Sequence, residues 1–71
     1  MSKPDSIRCA LTPLGNIEAA VMVAGTIRRV VVDVRTGELL DFNVYRDSDL
    51  FRWLVRAARE HVRKPDALIT L

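Results

Sequence analysis

From Ile7 to Tyr45 apolar and polar residues alternate in short runs, and after Asp47 the alternation gives way to a helical period. The clearest run is Ile27–Tyr45, IRRVVVDVRTGELLDFNVY, which predicts one β-hairpin with Arg35-Thr36-Gly37 at its tip. Successive strand side chains point to opposite faces, so Val30, Val32 and Val34 share one face of the first strand. Leu40, Phe42 and Val44 share one face of the second. A two-residue loop at Thr36-Gly37 would set Val32 against Asp41. A three-residue loop, Arg35-Thr36-Gly37, instead pairs Val34 with Glu38, Val32 with Leu40 and Val30 with Phe42, and one face becomes apolar throughout. Glycine carries no Cβ penalty at the left-handed last position of such a loop. A slip of one residue would turn the whole apolar set outward, so the three-residue register is the one expected.

Upstream, Ile7–Leu11 alternates as a short strand, and Thr12–Asn16 collects proline, glycine and asparagine as a loop. Ile17–Ala24 fits two descriptions. Asn16 and Gly25 could bracket a helix, but eight residues make a marginal one, and Ile17, Val21 and Val23 are β-branched. A type II′ loop at Gly25-Thr26 brings Val21 opposite Val30, Ala19 opposite Val32 and Ile17 opposite Val34, which favours a strand. Cys9 then faces Ala19 and Ile7 faces Val21.

The four strands form an antiparallel meander with one apolar face that needs a cover. Asp47–Lys64 supplies it as a helix capped by Asp47 or Ser48, with Leu50, Phe51, Leu54, Val55, Ala57, Ala58 and Val62 on one stripe. Pro65 ends it. Ala67–Leu71 is too apolar for a solvated tail and reads as a short fifth strand on an edge, in this sheet or a neighbour's. The expected fold is α+β: a four-stranded antiparallel meander covered on one face by a single C-terminal helix, with a short terminal strand.

Length sets the scale of this fold. Seventy-one residues make one domain, 1–71, with positions 1–6 expected to fray. A core of this size supplies about 3–5 kcal/mol and gains from a second copy of itself. Cys9 is the only cysteine, which excludes an intramolecular disulfide and, with a single histidine, a conventional zinc site within one chain. No signal peptide and no apolar run of about 20 residues is visible, so no membrane span and a cytoplasmic location are expected.

Charge adds one feature. Arg52, Arg56, Arg59 and Arg63 fall within roughly 60° on the helix, opposite its apolar stripe. Such a face is ordinarily solvated, yet four arginines form forks suited to phosphate or carboxylate. An acidic protein or a nucleic acid would be the partner. Against nucleic acid, the net charge is only +2, no aromatic lies inside the stripe for base stacking, and Asp47, Asp49 and Glu60 offset much of the helix charge.

The outer sheet face carries a different signal. Ala20, Met22, Val31, Leu39 and Tyr45 point away from the helix in this register, and a chain with one helix leaves them in water. Met22, Val31, Leu39 and Tyr45, with Trp53 at the border of the helix stripe, are the candidate interface. Asp33 and Asp41 lie near each other but are flanked by arginines, so offsetting charge is their expected role. His61 sits near the apolar stripe as an edge residue, and Cys9 as a small buried hydrophobe. No catalytic constellation, metal-ligand spacing or cofactor motif is present, and no enzyme is expected. The expected function is a small protein-interaction module that self-associates as a homodimer; the alternative is a nucleic-acid-binding protein using the arginine stripe.

Overall fold

Three consecutive hairpin connections set the frame. In the computed structural model, which describes residues 6–71, β1 (Arg8–Leu11), β2 (Ile17–Val23), β3 (Thr26–Val32) and β4 (Leu39–Phe42) form an antiparallel meander. The fraying expected at positions 1–6 lies, apart from Ser6, outside the described residues. Helix α1 (Asp49–Arg59) covers one face, and a 3-10 turn (Pro65–Ala67) leads into β5 (Ile69–Thr70). β5 runs parallel to β1 and completes a mixed sheet in the order β4-β3-β2-β1-β5. The terminal strand thus belongs to its own sheet, and Ile17–Val23 is a strand rather than a helix.

The core lies between the sheet and the helix. Ile17, Ala19, Val21, Val30, Val32 and Val44 from the sheet side meet Leu50, Leu54, Val55 and Ala58 from α1. Each fully buried valine, leucine or isoleucine contributes about 1.5–3 kcal/mol relative to exposure. Ser48 caps the helix, its hydroxyl oxygen accepting from the Phe51 amide at 3.1 Å, and Asp49 occupies the first turn.

Both later turns depart from the expected loops. The β2–β3 loop is Ala24-Gly25, with Val23 opposite Thr26, rather than Gly25-Thr26. Ala24 (φ 49°) and Gly25 (φ 81°) are both left-handed, the signature of a type I′ turn. Ala19 therefore pairs with Val30, and Ile17 with Val32. The correction is a shift of two residues, so every side chain keeps its face.

At the β3–β4 tip the loop runs over Val34-Arg35-Thr36-Gly37, one residue longer than expected. Asp33 causes this. Its carboxylate accepts from the Arg35 amide at 2.7 Å and the Thr36 amide at 3.1 Å, so the turn begins at Asp33 and not at Val34. Asp33 N–H donates to the Glu38 carbonyl, and Gly37 N–H donates to the Asp33 carbonyl. Val32 then meets Leu39 rather than Leu40. A bulge at Leu40 absorbs the extra residue, and the expected pair Val30–Phe42 is restored beyond it. Leu39 consequently packs against the core, while Leu40 turns to solvent.

The helix is also shorter than the expected span to Lys64. After Arg59 the amides of His61 and Val62 bond three residues back, to Ala58 and Arg59. Arg63 then adopts φ 63°, and its amide donates to the Val34 carbonyl at 2.9 Å. A left-handed non-glycine residue costs about 1–2 kcal/mol. Here that geometry carries the chain from the helix end to the hairpin tip.

Candidate functional site

The helix-free face of the sheet is built in rows by the strand register. One row is Ile69, Ala10, Glu18, Val31 and Asp41. The next is Arg8, Ala20 and Arg29. The last, beside the β2–β3 turn, pairs Met22 with Ile27. Arg29 lies 4.0 Å from Glu18 and 3.2 Å from Asp41, the two carboxylates that flank Val31. Val31 is only 8% exposed on a face that no second layer covers among the described residues. In the middle of this face one guanidinium thus stands between two carboxylates, and Arg8, in the same row as Arg29, supplies the second positive charge.

The apolar end of the face is open. Met22 is 59% and Ile27 is 52% exposed, and together with Ser6, Arg8, Ala20 and Val21 they line an open depression. Ile27 was not among the residues singled out in the sequence, although its parity with Arg29 and Val31 places it on this face. Of those that were, Met22 stands in the depression and Val31 lies buried between the carboxylates. Leu39 faces the core, for the register reason given above. Tyr45 follows a bend at Val44 and is 75% exposed, and Trp53 is half-buried against the core.

The two sheet edges differ. On β4 the bulge breaks the ladder, and the Phe42 amide is occupied by the Asp41 carboxylate at 2.9 Å. Beyond β4 the Asn43 side chain takes over a strand's work, accepting from the Arg29 amide at 2.7 Å and donating to the Ile27 carbonyl at 2.9 Å. Such devices blunt an edge against further pairing. β5 has only two residues, with Ile69 exposed and Leu71 tied back to the Leu11 carbonyl.

The arginine stripe does not remain one surface. Arg52 pairs with Asp49 within the first helical turn. Arg59 Nε donates to the Gly37 carbonyl at 2.9 Å, and Arg63 Nε to the Arg35 carbonyl at 3.1 Å. Arg63 lies beyond the helix, so the four side chains do not share one helical face. Arg56 is exposed and has no hydrogen-bond or ion-pair partner among the described residues. A shallow groove runs past Phe51, Arg52, Val55, Arg56, Arg59 and Glu60.

The remaining polar candidates have structural partners. Burial, and to a lesser degree the Glu60 charge, pushes the Cys9 thiol up, which keeps it protonated and a poor nucleophile. Asp33 is held below the usual carboxylate range by the Arg35 and Thr36 amides. Asp41 is engaged by Arg29 and by the Phe42 amide. His61 is half-buried after the helix end. No helix among the described residues is long and apolar enough to cross a membrane. No protein-family model, curated protein or solved structure matches this chain.

Proposed function

We propose that the protein is a small interaction module that self-associates through the helix-free face of its sheet. The observation that supports it best is the Met22–Ile27 pair, more than half exposed in an open depression on a face without a covering layer among the described residues. Burying the half of each side chain that is still exposed contributes about 1–1.5 kcal/mol, roughly half the value for full burial. A second copy is favoured as occupant because Arg8 and Arg29 together balance Glu18 and Asp41 on this face, with Arg29 between the two carboxylates. A patch without surplus charge places no demand for an oppositely charged partner, and an isologous contact needs only self-complementarity. The nucleic-acid alternative loses support where Arg52 pairs with Asp49 and Arg63 lies beyond the helix, so that the four arginines form no continuous stripe.

Sedimentation over the micromolar to millimolar range tests this. The expected species has twice the 8.0 kDa chain mass, and Met22→Glu combined with Ile27→Glu returns it to the monomer without loss of fold by circular dichroism. A parent protein that stays monomeric throughout the range would overturn the proposal.

A further inference from the structure

Arg59 and Arg63 each use one nitrogen, Nε, to bind a carbonyl of the β3–β4 loop. Those carbonyls belong to Gly37 and Arg35, two residues apart on one turn. The terminal nitrogens of both guanidinium groups have no protein partner among the described residues. Two forks are thus held at one place with their donor ends unspent, and Arg35 adds a third cation on the loop itself.

The placement of Arg63 is a second, separate observation. A left-handed residue after a helix end is normally glycine, because any side chain there is strained. Here the position carries a long cationic side chain at φ 63°. Its Nε bond anchors the fork, and Gly37 below leaves just enough space for Arg59: a Cβ on Gly37 would stand 3.4 Å from Arg59 Cγ and 3.3 Å from Val62 Cγ2. Pre-organised forks lose less freedom on binding than mobile ones.

We propose that Arg59 and Arg63, anchored on the β3–β4 loop, form a binding site for a phosphate monoester group. Guanidinium forks match phosphate oxygens in a bidentate manner, and the monoester carries a charge of about −1.5 to −2 near neutral pH. A compact cluster at one turn suits a single dianionic group. A nucleic-acid backbone would require an extended basic track, which the Arg52–Asp49 pair and Glu60 interrupt.

The test follows the Arg59 and Arg63 Nε–Hε signals by nuclear magnetic resonance while inorganic phosphate replaces chloride at constant ionic strength. Saturable shifts confined to these two groups and to the amides of residues 34–37 are expected. Arg63→Gly keeps the left-handed backbone and removes one fork, so the fold persists while phosphate affinity falls about tenfold or more, the effect of losing a charge-assisted hydrogen bond. Arg56→Gln leaves the affinity unchanged. Phosphoserine and adenosine monophosphate, titrated separately, distinguish the source: preference for one names it, and equal affinity shows that the phosphoryl group alone is recognised. A linear response like that of chloride, or an Arg63→Gly protein that binds as the parent does, overturns the proposal. So does tighter binding of duplex DNA with a slope of log affinity against log salt of about −3.6, the value for four phosphate contacts.

Discussion

The two reversals that flank β3 solve the same problem in opposite ways. The β2–β3 turn is minimal: two left-handed residues, Ala24 and Gly25, reverse the chain in open solvent. A Cβ on Gly25 would meet nothing within 4 Å. The β3–β4 turn is longer and is held from three sides. Asp33 caps its amides, Arg59 and Arg63 bind its carbonyls, and Gly37 is buried beneath Val62 and Arg59. One turn depends on local backbone preference alone, and the other is part of the contact between hairpin and helix end. The difference shows where a short chain concentrates order: at the point where distant segments meet, not at every turn.

The two turns should differ most in their response to substitution of their glycines. Gly37→Ala combines a left-handed strain with two tight contacts and is expected to cost about 2–3 kcal/mol, read as a lowered urea midpoint. Gly25→Ala carries only the strain, about 1 kcal/mol. Equal losses for the two would mean that the helix end does not press on the tip.

Arginine truncations come next. Arg59→Ala leaves the Gly37 carbonyl without its partner and should cost about 1–2 kcal/mol, whereas exposed Arg56→Ala should stay within about 0.5 kcal/mol. If the two are indistinguishable in denaturant, the Arg59 bond contributes nothing to holding the tip.

A smaller effect of opposite sign belongs to the free turn. Asparagine tolerates the left-handed first position of a type I′ turn better than alanine, so Ala24→Asn should raise stability by about 0.5 kcal/mol. Destabilisation by this change in thermal unfolding would rule out the type I′ geometry.

Asp33 has a lowered pKa in the folded state, so its contribution is fully present above the ordinary carboxylate value of about 4 and is lost as pH falls through the folded value. The acid limb of the stability profile should therefore become shallower in Asp33→Asn. An unchanged limb would show that the amide contacts to Asp33 persist in the unfolded chain.

Much of the fold was legible because it depends on parity. Alternation alone assigned Ala19, Val30 and Val32 to the core face and Met22 and Arg29 to the other, and it survived a loop placed two residues away from its true position. The apolar stripe of α1 was equally legible, since Leu50, Leu54, Val55 and Ala58 recur at the helical period. Parity also explains the error at Leu39. An odd shift reverses a face, and the Asp33 side chain lengthened the loop by one residue before the Leu40 bulge restored the register.

What the chain alone determined, then, is which residues belong inside and which segments pair, because both follow from periods of two and 3.6 residues written into neighbouring positions. Only the tertiary structure decided where the helix stops and what its arginines do. Arg59 reaches a carbonyl 22 residues away and Arg63 one 28 residues away. The helix ends at Arg59, well before Pro65, and the chain beyond it is bonded to the Val34 carbonyl. A local pattern cannot contain such a contact: its strength depends on a backbone carbonyl, which every residue carries, and on a proximity that exists only after the hairpin and the helix have packed.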